Sequence, residues 1–283
     1  MNTFVIDMEN AGSVFEDSEK TFIELSNSQR LQIINALTNS SMNLTLIAKH
    51  LGITMQEAHR NFNRLMDAGI VSKDSSGSYS LTTFGNTIVT QIPSINFLSK
   101  NKNYFSDHYF ADLPMKFVQR IGSLDDSKFI QGLVAVMEEI KEMYRYSEEY
   151  IYGMIPQVPL DLMEVAAKTV KERKIKFNYI LPKNAAIPKK GKEFLDEINY
   201  QELVKNGLVE RKMIEDVRVS VVLNEKKALV MFPSIKGETD MNGAFSNSIH
   251  KENNKLFHEW CLDYFRYCWL SSKPFDNTKL REV

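Results

Sequence analysis

The hydrophobic positions along the chain change rhythm twice. From Ser18 to about Thr38, Leu31, Ile34 and Leu37, with Ile33 alongside, recur at helical spacing. Two shorter helical patterns follow, "NLTLIAKHLG" and "TMQEAHRNFNRLMDAG". In the second, Met55, Ala58, Phe62 and Leu65 share one face, while Gln56, His59, Arg60, Asn63 and Arg64 share the other. The stretch "IVSKDSSGSYSLTTFG" alternates instead, predicting a hairpin of Ile70–Val71 against Tyr79–Leu81 around a polar turn. A further helix starts near Thr83 and stops before Pro93. Residues 94–113 read as a polar and aromatic connector, and Pro114 opens a helix at a position where proline is welcome. "SKFIQGLVAVMEEIKEMYRYSEEY" reads as a longer amphipathic helix. The rhythm then shifts to short apolar strands, "YIYGMIP", "IKFNYILP", "LVERKMI" and the hairpin "VRVSVVLNEKKALVMFP", alternating with helices and closed by the helix "KENNKLFHEWCLDYFRYCWLSS". That order points to an α/β or α+β domain.

The sharpest local signal lies at residues 46–71. Thr54 stands where an N-cap belongs and Glu57 follows three residues later, a capping box. Gly52 occupies the turn before it, and Gly69 the left-handed position after the helix. The polar face matters for function. Asn and Gln pair bidentately with adenine and Arg with guanine, and a cluster of such groups near a helix N-terminus is what a recognition helix carries into the major groove. A solvated face on a helix that merely packs is the plain alternative.

Composition narrows the classes. The 283 residues are 43% hydrophobic and 25% charged with a net charge of −1, which excludes a chain coated in nucleic-acid-binding charge. Over residues 25–90, Arg30, Lys49, Arg60, Arg64 and Lys73 stand against Glu57, Asp67 and Asp74, a net of +2. So few cations bind DNA weakly in one copy, so a two-fold dimer is nearly required for a DNA reader. The wing tip "KDSSGS" offers Lys73 as a phosphate contact. Cys261 and Cys268 form no disulfide framework, the N-terminus lacks a signal-peptide core, and no apolar run approaches the roughly 20 residues a bilayer demands. A soluble, cytoplasmic protein with no cofactor is the expectation.

Three pieces in order, "SNSQRLQIINAL", "LIAKHLGITMQEAHRNFNRLMDAGIV" and "YSLTTFG", resemble archaeal and bacterial winged-helix transcriptional regulators of the ArsR and MarR type. Residues 114–271 resemble the C-terminal domain of the archaeal methanogenesis-regulator family and, more distantly, of TrmB-type regulators. The features that carry this are "EYIYGMIP", "IKFNYILP", "VSVVLNEKKALVMFP" and "FHEWCLDYFRYCW". The resemblance implies an N-terminal winged helix-turn-helix followed by a phospholipase-D-like α/β sensor domain without catalysis. The expected organisation is a loose arm at 1–17, the winged helix at 18–92, the connector at 93–113, a sensor and dimerisation domain at 114–271 and a tail at 272–283.

A homodimeric transcriptional regulator is therefore expected to bind double-stranded operator DNA through Thr54, Gln56, His59, Arg60, Asn63, Arg64 and Lys73. The alternative is a winged-helix adaptor that docks a protein and does not bind DNA directly. Enzyme activity is not expected. Phospholipase-D enzymes use a His and a Lys two residues apart, whereas His250 is followed directly by Lys251, and no phosphate loop, zinc helix or nucleophile elbow is present. A small-molecule effector would bind where strand ends meet loops, with Tyr152, Met154, Tyr179, Arg218 and His250 as the candidates. His258, Cys261 and Cys268 lack an evident fourth ligand and read as helix packing surface, so no metal is expected.

Overall fold

The computed structural model describes residues 15–157, 159–187, 189–237, 239–249 and 255–282. The chain divides into two compact units, residues 1–93 and 94–283. Most of the expected N-terminal arm, and His250, lie outside the described residues.

The first unit holds α1 (Glu16–Leu25), α2 (Ser28–Leu37), β1 (Met42–Asn43), α3 (Leu44–Leu51), α4 (Met55–Asp67), β2 (Val71–Lys73), β3 (Ser78–Leu81) and α5 (Thr83–Val89). The single helix expected over 18–38 is two. The polar run at Ser26 to Ser28 breaks it, and the Asn27 side chain caps α2 by accepting from the Arg30 amide. Each later helix is capped in the same manner, by Asn43, Thr54 and Thr82. The strands form a small antiparallel sheet in the order β1-β3-β2, with Val71 opposite Leu81 and Met42 opposite Tyr79. The core gathers Ile33, Ile34, Ile47, Phe62, Leu65 and Tyr79, and the Phe62 and Tyr79 rings stack at 3.9 Å. This order, helices followed by a two-stranded wing, is a winged helix-turn-helix.

The second unit contains α6 (Ile92–Lys100, entered from the first), α7 (Met115–Val118), β4 (Lys128–Gln131), α8 (Leu133–Arg145), β5 (Tyr150–Met154), α9 (Leu160–Arg173), β6 (Lys176–Pro182), β7 (Ala186–Ile187), α10 (Lys189–Glu197), α11 (Tyr200–Lys205), β8 (Val209–Ile214), β9 (Ser220–Asn224), β10 (Lys227–Met231), β11 (Gly243–Ser248), α12 (Lys255–Ser271), β12 (Lys273–Pro274) and β13 (Arg281–Glu282). Eight strands form one mixed sheet in the order β12-β8-β6-β5-β9-β10-β11-β4, with β5, β6 and β8 parallel and the rest antiparallel. Its central strands are apolar without interruption because both faces are covered. Val221, Leu223, Ala228 and Val230 face the core built on α12, while Val222, Leu229 and Met231 face the core built on α8 and α9.

Residues 94–113 are no connector. Phe97 is buried, Tyr104 and Phe105 pack against the α12 core, and Phe97, Phe105 and Tyr104 meet Phe245 edge-on or stacked. Residues 128–131 of the expected 127–150 helix form β4 on the sheet edge instead, and Gly132, at φ 101°, turns the chain into α8. No described helix is long and apolar enough to cross a membrane.

Candidate functional site

The two halves of the helix-turn-helix are α3 and α4. Gly52, at φ 66°, ends α3 in the left-handed conformation, and Thr54 restarts the chain as α4. The capping box is complete: the Glu57 amide donates to Thr54 Oγ1 at 3.1 Å, and the Thr54 amide donates to Glu57 Oε2 at 2.8 Å. The Thr54 backbone and hydroxyl also hold the Glu57 carboxyl below its ordinary range. Thr54, expected as a DNA contact, thus spends its hydroxyl on fixing where the helix begins.

Ala58, Asn61, Phe62 and Leu65 are buried on the inner side of α4, with Asn61 donating to Gln29 Oε1 at 3.0 Å. Met55, expected on that face, is 45% exposed because it precedes the first inward turn. Gln56, His59 and Arg60 are exposed on the opposite side and Asn63 is half-buried there. At 3.6 residues per turn these four form one stripe over the first two and a half turns. Asn63 Nδ2 lies 3.4 Å from His59 Nδ1. Gln56 and Arg60 make no side-chain hydrogen bond among the described residues.

Arg64 departs from its expected role. Its Nε lies 2.9 Å and 3.1 Å from the two carboxylate oxygens of Glu24, and its Nη2 binds the same group, a bidentate fork. The Glu24 side chain is 10% exposed and also pairs with Arg30 Nε at 2.9 Å. The Arg64 hydrogen bonds lead in pulling the Glu24 carboxyl below its usual range, against the cost of burial. Arg30 in turn donates to the carbonyls of Glu24 and Ile23. Two of the five cations counted in the sequence therefore hold α1 against α2 and α4. Lys49, Arg60 and Lys73 remain exposed, with Lys73 Nζ 5.3 Å from the Tyr79 ring. At the wing tip Asp74 accepts from the amides of Ser76 and Ser78, which builds the turn and places an acid there. Glu24 carries no mark of this role in the sequence: an acid at the end of an amphipathic helix gives no local sign of a partner 40 positions away.

The candidate ligand residues of the second unit do not converge. Tyr152 stacks between Tyr150 and Phe265 in the α12 core, at 4.5 Å and 5.0 Å. Met154 and Arg218 line a cleft on that same face, where Asp112, Glu215 and Asp216 balance Lys183, Arg218 and Lys273. Arg218 Nε is held by Asp216 at 3.0 Å and Lys183 is paired with Glu215, so two of the three cations are already engaged. Tyr179 lies on the opposite face and lines a separate cavity. His258 and both cysteines are buried as packing, and His258 Nε2 sits 2.6 Å from the Asn224 carbonyl, to which it donates. Among the described residues no three metal-ligating side chains come together.

No family model and no characterised protein matches the chain in sequence. Among solved structures, an archaeal chromatin protein, TrmBL2, described as having a novel mode of DNA binding, is 12% identical over 88% of this chain and 94% of its own, at a TM-score of 0.40. Nuc from Salmonella typhimurium, a phospholipase D family member, is 10% identical over 54% of this chain and 99% of its own, at 0.36. The homodimeric winged helix-turn-helix DNA-binding domain of Mb0332 from Mycobacterium bovis, a possible ArsR-family regulator, is 17% identical over 34% and 88%, at 0.28. Likenesses this faint leave function to the residues.

Proposed function

We propose that the protein is a DNA-binding transcriptional regulator acting as a homodimer, with α4 in the major groove. The observation that supports this most directly is the stripe of Gln56, His59, Arg60 and Asn63 at the start of α4. It lies outward on a helix whose opposite face buries Ala58, Asn61, Phe62 and Leu65, and its Gln and Arg make no side-chain hydrogen bond or ion pair among the described residues. Arg60 is assigned to a guanine edge and Gln56 and Asn63 to adenine edges. Lys49 and Lys73 are assigned to phosphates, while Arg64 and Thr54 shape the helix that carries the readers.

Three cations per copy outside any ion pair fall short of what a lone winged helix needs at physiological salt, so the reading includes a dimer that places two α4 helices about one helical turn apart. The second unit is assigned to regulation and to dimerisation. The adaptor reading rests on a different observation, the exposed Phe22 and Ile23 on α1, at 60% and 49%. Titration of the full chain with double-stranded fragments from upstream of its own coding sequence separates the two. The regulator gives saturable binding that Arg60→Ala abolishes and Arg64→Ala leaves in place once folding is verified. The adaptor gives no binding in any of the three proteins.

A further inference from the structure

A row of three in-register residues crosses the parallel part of the second sheet: Gly153 on β5, Tyr179 on β6 and Arg211 on β8. All three face α9 and α11, and because Gly153 has no side chain the row dips at one end. Above it lies a cavity of about 410 Å³, roofed by Leu162 and Ala166 of α9 and closed on one side by Phe275 and Leu280 of the tail. That volume falls within the range of small-molecule pockets, and the walls are mainly apolar.

Its polar groups are few and they converge. The Tyr200 hydroxyl donates to the Tyr179 hydroxyl at 3.1 Å. Tyr144, 3% exposed, lines the cavity with its hydroxyl over the Gly153 floor, 3.4 Å from where a Cβ would stand, and has no hydrogen-bond partner among the described residues. That hydroxyl opens into the cavity, where a ligand group can hydrogen-bond to it. Arg211 is half-buried with its guanidinium carbon 4.2 Å from the centre of the Phe275 ring. It forms no ion pair among the described residues and one edge of it reaches the Tyr179 hydroxyl, while stacking of this kind leaves its other in-plane N–H groups open to an anion. Arg281 also lines the wall, against one acid, Asp196, so the lining is net positive.

We propose that this cavity binds a small organic monocarboxylate with an apolar, ring-sized body. The carboxylate lies on Arg211 within reach of the Tyr144 or Tyr179 hydroxyl, and the body lies against Phe177, Leu162 and Ala166. This rests on the reading of the second unit as regulatory, but the cavity is tested without DNA. Calorimetric titration of the full chain with benzoate, phenylacetate and octanoate, each beside its neutral amide, is the measurement. At least one acid binds, and its amide binds about tenfold or more weakly, since the charge-assisted fork is lost. Arg211→Met, which keeps the stacking bulk on Phe275, brings acid and amide to parity. Gly153→Val, which fills the floor, weakens both while leaving the circular dichroism and melting profile of the chain in place. Failure of all three acids to bind, or acid and amide binding alike to the unaltered chain, overturns the proposal whatever the DNA titrations show. Binding here with no DNA binding would instead retain the cavity and remove the regulator.

Discussion

Replacing Glu24 by Gln should loosen the first unit from within while leaving the second untouched. The carboxylate is 10% exposed and holds Arg30, itself 9% exposed at the side chain, and Arg64. Breaking a buried pair by removing one partner costs about 3–5 kcal/mol, because an uncompensated charge stays behind. Two features reduce that here. Arg30 keeps its hydrogen bonds to the carbonyls of Glu24 and Ile23, and Arg64, about half exposed, can turn to water. The expected loss is therefore about 2 kcal/mol. Both tryptophans, Trp260 and Trp269, belong to the second unit, so fluorescence is blind to this change and serves as an internal control. Hydrogen exchange of peptides from α2 and α4 reads it instead, with the slowest amides opening about thirtyfold more often. The pH dependence follows from the depressed carboxyl. Its contribution is fully present above the ordinary carboxylate value of 4.5 and is lost as pH falls through the lower folded value, so the unaltered unit should lose stability in acid and the Gln variant should lose less. Unchanged exchange in α2 and α4 at neutral pH would refute the claim that this cluster holds the helices together.

Thr54→Ala removes the side-chain half of the capping box and should cost about 1 kcal/mol, read as faster exchange at the first turn of α4. His108 is held between Asp240, at 3.0 Å, and Asp107. Burial lowers its pKa, but its hydrogen bonds to Asp240, the Tyr104 carbonyl and Asp107 together raise it above 6.5. Its contribution is thus present below pH 6.5 and lost as pH rises through the folded value, and tryptophan-monitored denaturation should show that slope in the unaltered chain and not in His108→Ala. Burial raises the thiol of Cys261 well above its usual value and that of Cys268 to about 11, so both should resist iodoacetamide until the chain is denatured; rapid labelling of the folded protein would contradict their role as packing.

What could be read from the sequence was what is local. The Thr54–Glu57 box, Gly52 and the hairpin around residues 74–77 are each specified within a few residues, and each stands where the pattern put it. The runs around Val221–Leu223 and Ala228–Val230 likewise read as the strands of a hairpin, and the structure adds that both their faces are buried. Long-range pairings were not legible. Arg64 follows Arg60 on the polar face of α4, and nothing nearby shows that Glu24 has taken it. Residues 94–113 hold Phe97, Tyr104 and Phe105 without a regular period, so a core segment looked like a linker. The candidate ligand residues divide between the two faces of the sheet on parity. In the β5–β6 register Tyr179 sits beside Gly153, not Tyr152 or Met154, which puts it on the other side of the sheet. A shift of one residue would have reversed that, and the sequence alone does not state the register.

The regulator reading is tested most directly by the salt dependence of DNA binding. Lys49, Arg60 and Lys73 are the exposed cations of the interface in each copy. With Lys49 and Lys73 on phosphates in each copy, a dimer gives a log–log slope of about −3.6, against about −1.8 for one copy. A dimeric regulator binds saturably with the steeper slope, and Arg60→Ala abolishes that binding. A chain that ignores DNA at low salt, or an Arg60→Ala variant that binds like the unaltered protein, would contradict it.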